Sequence, residues 1–220
     1  MQIGLFGGTF NPVHLGHLRA AVEVKEGFKL DEVFLIPAAL PPHKMPGGVA
    51  AAADRLQMLN FASEDVSGLI ISDVELNRSG PSYTIDTVQH FKCRIPNDSR
   101  IYLIMGTDAF FEIHTWKSYE ELIAQIPLIV IPRPMADTQY GFVWKALEDY
   151  IKIKISSDYE YSNSRSCFLR IRKPPIFVHE ITAMQISSTM IRKQIKRGRS
   201  IDYLVPQKVV EFIKSKGLYL

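Results

Sequence analysis
Three features of the sequence predict an α/β fold built on a doubly wound, mostly parallel sheet. Short, nearly unbroken apolar runs recur at residues 3–6, 32–36, 101–105 and 128–131, as strands covered on both faces require. Helix-forming stretches separate them, and strand, helix, strand is the repeating unit of such a sheet. The first run ends in glycine and a polar turn that opens a helix, which puts ligand chemistry at the carboxyl edge of the strands.

The chain has 220 residues, enough for one sizeable core, so a single domain over 1–220 is expected. Net charge is +3, from 26 Lys and Arg against 23 Asp and Glu, so no overall field calls for a nucleic-acid partner. The basic excess is local, in Arg192, Lys193, Lys196, Arg197 and Arg199. Cys93 and Cys167 have neither metal-ligand spacing nor a disulfide framework, and a reducing cytosol fits them. The chain enters a strand at once, so no signal peptide is expected. No apolar run approaches the ~18 residues that span a bilayer. A soluble, cytoplasmic protein is the expectation; a homo-oligomer is left open.

Taken in order, the strand at 3–6 runs into Gly7 and Gly8, which lack the Cβ that would hold a ligand away from the backbone. Thr9 adds a hydroxyl, Phe10 and Asn11 continue the turn, and Pro12 stiffens it. A helix follows over about 15–25, its free N–H groups and positive dipole end facing an anion above the turn. His14 and His17 are three apart and project to nearly one side of that helix start, where imidazoles can donate to phosphate oxygens. Residue by residue, the stretch also fits a loop ending in a capped helix with two surface histidines. A metal pair is a further alternative, though no His-Glu-x-x-His pattern accompanies it. The loop matches neither a Walker A nor a Gly-x-Gly-x-x-Gly fingerprint.

After the strand at 32–36 comes a loop over 38–48 with Pro41-Pro42-His43-Lys44 at its centre. Its prolines restrict the backbone and present Lys44 with less entropy to lose, unless Lys44 is simply a solvated loop residue. A helix over 50–62, a strand over 69–74 and a polar turn over 77–82 follow. Ser82, Tyr83 and Thr84 then cap a helix over 85–91, with Thr84 as the N-cap. The strand at 101–105 ends in Gly106-Thr107-Asp108, which is either ordinary turn chemistry or a carboxylate set to accept from a ribose. Trp116 is either core or a stacking platform. A short helix over 120–125 leads to the strand at 128–131 and Arg133. Residues 135–175 hold a helix over 142–150 and a polar stretch without clear period, taken as a variable surface excursion. A short strand at 176–178 precedes a C-terminal helical portion. There Ser187 or Ser188 caps a helix carrying Arg192, a second anion site, and the run at 203–206 starts a last helix with Pro206 in its first turn.

Gly-Gly-Thr-Phe-Asn-Pro-Val-His-Leu-Gly-His at 7–17 and Ile-Ser-Ser-Thr-Met-Ile-Arg at 186–192 resemble the two signatures of the nucleotidyltransferase superfamily with the His-x-Gly-His type motif. Within it, Pro-Pro-His-Lys, Gly-Pro-Ser-Tyr-Thr at 80–84, Gly-x-Asp, Trp116 and Tyr-Leu-Val-Pro at 203–206 resemble the bacterial nicotinate mononucleotide adenylyltransferases. Position 11 is often Asp in that family and is Asn here. The resemblance covers nearly the whole chain apart from 135–175. It implies a Rossmann-like nucleotidyltransferase fold and direct transfer of AMP from ATP to nicotinate mononucleotide, with Mg²⁺ accompanying ATP and no protein-only metal site. It further implies that His14 and His17 are catalytic, and that Gly7, Gly8, Thr9, Phe10, His17, Gly106, Asp108, Ile186, Ser187, Ser188 and Arg192 bind ATP. Lys44, Ser82, Tyr83, Thr84, Trp116 and Arg133 would bind the mononucleotide. A sister enzyme acting on nicotinamide mononucleotide or phosphopantetheine, and a non-catalytic nucleotide-binding module, are the competing readings.

Overall fold
In a computed structural model of the chain, residues 1–39, 48–96, 98–132 and 140–220 are described. Eight strands form one sheet: β1 (Gln2–Gly8), β2 (Glu32–Pro37), β3 (Leu69–Ile71), β4 (Arg100–Gly106), β5 (Leu128–Ile131), β6 (Glu160–Ser162), β7 (Cys167–Leu169) and β8 (Ile176–Val178), in the order β3-β2-β1-β4-β5-β8-β7-β6. The helices are α1 (Leu15–Gly27), α2 (Ala52–Ser63), α3 (Thr84–Arg94), α4 (Thr107–Phe110), α5 (Tyr119–Gln125), α6 (Tyr140–Tyr150), α7 (Ser188–Lys196) and α8 (Gln207–Lys216). The mostly parallel α/β class is therefore as expected.

The residues fall into two compact units, the first made of Met1–Leu5 with Tyr83–Ala183 and the second of Phe6–Ser82 with Met184–Leu220. In the first unit β4, β5 and β8 are parallel, with Leu103 opposite Leu128 and Leu128 opposite Ile176. All four residues of β5 are buried, as a strand covered on both faces must be. Ile85, Val88 and Phe91 recur at helical spacing and give α3 its buried stripe.

Residues 135–175, expected to be a surface excursion, include part of the sheet. β6 pairs antiparallel with β7, and β7 with β8, while Tyr159, Cys167 and Phe168 are each at most 1% exposed. Three-residue strands are too short to show alternation, and an outermost strand written Glu-Tyr-Ser keeps the polar character that protects a sheet edge. Before them α6 runs on in wider π-type turns over Ile151–Ile155.

The second unit holds β2 and β3, parallel, with Val33 opposite Leu69. β3 stops at Ile71 rather than continuing to Val74. The carbonyl of Asp73 accepts from the amides of Leu76 and Asn77 at 2.9 and 3.1 Å, so the chain turns there instead of extending. Val209, Val210 and Ile213 of α8 are buried, and Phe212 meets Phe61 of α2 edge-on at 5.7 Å. No helix among the described residues is long and apolar enough to cross a membrane.

Candidate active site
In the second unit, β1 delivers the glycine pair to the sheet edge. Gly7 is exposed, and a Cβ built there would meet nothing within 4 Å, leaving that stretch of backbone open to a ligand. At Gly8 the missing Cβ also makes room inside the fold, since a Cβ there would lie 3.0 Å from the ring of Phe10. Phe10 has φ of 47° and turns its side chain back into the protein, where it is 2% exposed and edge-on to Phe6 and His17 at 6.1 and 5.0 Å. Its ring backs His17 from the protein side.

His14 is extended, with α1 starting at Leu15. Its carbonyl accepts from the amides of His17 and Leu18, and its own N–H donates to Nδ1 of His17 at 3.2 Å. Nδ1 is therefore an acceptor, which puts the ring proton of His17 on Nε2 as a donor. The two imidazoles stack with centroids 3.6 Å apart. Gly16 makes this packing work, since a Cβ there would sit 3.1 Å from Nδ1 of His14. The helix start is less open than the sequence implied. The amide of Leu15 donates to the carbonyl of Leu204 at 3.0 Å, so one of the first-turn donors is used inside the fold.

The second signature lands directly on the first. Ser187 is the N-cap of α7, its side chain accepting from the amide of Met190 at 3.2 Å. The hydroxyl of Ser188 donates to the carbonyl of Pro12 at 2.8 Å, and Nη1 of Arg192 to the carbonyl of Asn11 at 2.8 Å, contacts spanning 176 and 181 residues of sequence. Nη2 of Arg192 also donates to Oγ1 of Thr189. The carbonyl of Ile186 lies 3.8 Å from the Cβ position of Gly16. Two polar turns, each at a helix start, thus share one small region lined by donors.

Three residues hold this region, of which the sequence reading passed over two, Arg55 and Tyr219, and took Asn11 only as part of the turn. Arg55, 1% exposed, donates from Nη1 to the carbonyl of Thr9 at 2.9 Å, from Nε to Ala50 at 3.1 Å and from Nη2 to Ala39 at 3.3 Å. Burial holds its guanidinium below the usual arginine range, and the nearby Tyr219 partly offsets this. Its signal was available, because 55, 58, 59 and 62 are the buried stripe of α2 and an arginine stands where the stripe calls for an apolar residue. Asn11 and Tyr219, bonded to each other, are the other two. Ser82 supports the end of β2, its Oγ accepting from the amide of Ala39 at 2.9 Å.

The first unit holds the remaining expected residues that the structure describes. Tyr83, not Thr84, is the N-cap of α3, and no side chain caps this helix start. Thr84 is the first helical residue because Tyr83 keeps extended angles (φ −104°, ψ 127°) while its carbonyl already accepts from Asp86 and Thr87. Nζ of Lys117 lies 4.5 Å from the centre of the Tyr83 ring and 3.4 Å from Asp86. Gly106 ends β4 and Asp108 stands exposed in the first turn of α4. Trp116 is partly exposed, just past a short 3₁₀ turn over Ile113–Thr115, so it is not a core residue. Lys44 and Arg133 lie outside the described residues.

A family model described as cytidylyltransferase-like matches residues 5–194, most of the chain and both signatures. The chain belongs to the cytidylyltransferase-like family. Among relatives of this cytidylyltransferase-like chain, a protein of Desulfatibacillum aliphaticivorans named "Probable nicotinate-nucleotide adenylyltransferase" is 42% identical over 221 residues, covering 100% of each chain. A protein of the same name from Pseudomonas fluorescens is 39% identical over 99% of this chain and 97% of its own. The fold is shared with the Plasmodium falciparum nicotinic acid mononucleotide adenylyltransferase complexed with NaAD, at a TM-score of 0.73 and 17% identity over 99% of this chain and 97% of that one.

Proposed function
We propose that the chain is a nicotinate mononucleotide adenylyltransferase. In this reading a 5′-phosphate oxygen of nicotinate mononucleotide attacks the α-phosphorus of ATP in line. The new P–O bond forms as the bond from that phosphorus to the bridging oxygen breaks, and the products are deamido-NAD and pyrophosphate. No protein nucleophile is required, so the enzyme's task is positioning and charge stabilisation. The observation that carries the reading is the hydrogen bonding of Ser188 and Arg192 to the turn that leads into His14 and His17. It sets two helix starts, each of a kind that suits an anion, close to the Nε2–H of His17. The names of the full-length relatives support the choice of acceptor.

In the second unit, the backbone of Gly7, Gly8, Thr9 and Phe10 with His17 would take the nucleotide phosphates near the reacting phosphorus. Ile186, Ser187, Ser188 and Arg192 would take the β and γ phosphates. In the first unit, Gly106 and Asp108 would take a ribose, and Tyr83 and Thr84 with Trp116 the pyridine ring. Ser82, Lys44 and Arg133 belong to the mononucleotide set in this reading. Among the described residues no three His, Cys, Asp or Glu come together as a metal-binding group. The donors around the signatures are histidine, serine and arginine, so magnesium would enter on the triphosphate as part of the substrate. The proposal takes 1–220 as one catalytic domain working in the cytoplasm.

The test is pyrophosphate release on mixing the protein with magnesium ATP and each acceptor. Release with nicotinate mononucleotide, well above that with the amide or with phosphopantetheine, is the expected result. Preference for either of the others assigns a sister activity, and release with none refutes an enzyme of this class.

A further inference from the structure
Asn11 is 3% exposed and stands three residues before His14, in the turn whose carbonyl Arg192 holds. Its carboxamide is bonded at both ends. Nδ2 donates to the carbonyl of Gly48 at 2.8 Å, and Oδ1 accepts from the amide of Ala50 at 2.9 Å and from the hydroxyl of Tyr219 at 2.8 Å. The first two partners bind the turn to the backbone before α2. The third comes from the other end of the sequence, 208 positions away.

Tyr219 reaches Asn11 through a reversal of the chain after α8. α8 ends at Gly217 in the left-handed region (φ 59°), the amide of Leu218 donates back to the carbonyl of Ile213 at 3.0 Å, and Tyr219 itself has φ of 66°. That reversal aims the phenol at Asn11, with the charges of Arg55 and Arg192 both close enough to act on it. Burial raises its ionisation above the ordinary tyrosine range despite those two cations, so the hydroxyl remains a proton donor. An acceptor with two converging donors has its direction determined more closely than one with a single donor. Asn11 is connected through two residues of turn to the stacked imidazoles.

We propose that Tyr219 is a positioning residue for the reaction site: through Oδ1 of Asn11 it sets the turn that orients His14 and His17, without touching a substrate. The catalytic meaning of this rests on the adenylyl-transfer reading, whereas the geometric claim does not. Tyr219→Phe removes one hydroxyl, leaves the ring in place and leaves Ala50 bonded to Oδ1.

Three measurements on the full chain test it. The ring ¹⁵N signals of His17 report its tautomer. In the wild type they should show an unprotonated Nδ1, and in Tyr219→Phe they should shift toward exchange between tautomers. Melting should change by no more than about 3 °C, as for one hydrogen bond in a chain of this length. The kcat for pyrophosphate release should fall about tenfold with little change in KM for ATP, since small misplacement of catalytic groups is costly. Asn11→Ala should lower kcat further, and adding Tyr219→Phe to it should cost nothing more, because the hydroxyl would have lost its partner. Unchanged His17 signals in Tyr219→Phe overturn the inference whatever the activity, as does a full additional loss in the double variant. A wild type that transfers no adenylyl group, but whose His17 signals respond to Tyr219→Phe, refutes the proposed function and leaves the positioning role standing.

Discussion

Replacing Arg55 by methionine retains most of the aliphatic stem in the stripe of α2 and deletes the guanidinium that binds the carbonyls of Thr9, Ala50 and Ala39. With the side chain 1% exposed, water does not take its place, and the three carbonyls are left with lost or weakened pairing. A buried group deprived of its partner costs about 1–3 kcal/mol. The three bonds run from 2.9 to 3.3 Å, and the longest is the weakest. Against this stands relief of the desolvation that lowers the guanidinium's pKa. The balance is a loss of about 3–5 kcal/mol, within the range for breaking a buried charged interaction from one side. At about 2–4 °C per kcal/mol for a chain of this size, the melting temperature should fall by roughly 6–20 °C. Arg55→Lys should lose nearly as much, because one ammonium cannot reproduce a planar fork aimed at three separate carbonyls. Circular dichroism melts of the three proteins measure this directly. A Met variant that melts within about 2 °C of wild type would show that Arg55 does not hold the loop.

His17→Ala should lower kcat by at least about 100-fold while KM for ATP changes only a few-fold, since a donor to the transferring group acts mainly in the transition state; steady-state kinetics with retained kcat would remove His17 from that role. Ser187→Ala loses the cap on the amide of Met190 and should cost about 1 kcal/mol, or about 2–4 °C, with Ser187→Asp restoring it. Equal melting of the Ser, Ala and Asp forms would refute the cap. Tyr159 is 1% exposed, donates to the carbonyl of Pro174, and has its phenol pKa raised by burial. Above about pH 10 the unfolded chain releases a proton that the native state keeps, so stability should fall as pH rises from there. Melting followed from pH 8 to 11 should show a shallower decline in Tyr159→Phe, and an unchanged slope would contradict the assignment.

The sequence by itself determined the α/β class, the apolar strands at β1, β2, β4 and β5, the loop that opens α1 and a serine cap on α7 at 187 or 188, of which the structure uses Ser187. Those features are local: apolar continuity, glycine, proline and capping residues act over a few positions, so their physics can be read in the order of the chain. Tertiary structure decided what depended on distant partners. Asp73 ends β3 by turning on itself, and Glu-Tyr-Ser becomes a strand because Cys167 to Leu169 lies beside it. Gly8, legible as a glycine that admits a ligand, also leaves room for the ring of Phe10, a contact that no local pattern announces. Arg192 could be read as a cation at a helix start, but its hold on the carbonyl of Asn11 depends on a contact made across 181 residues. Arg55 and Tyr219 carried no motif at all. A buried donor finds its acceptors only when folding brings remote backbone to it, and the free energy of leaving those acceptors unpaired, not any local preference, keeps the donor where it is.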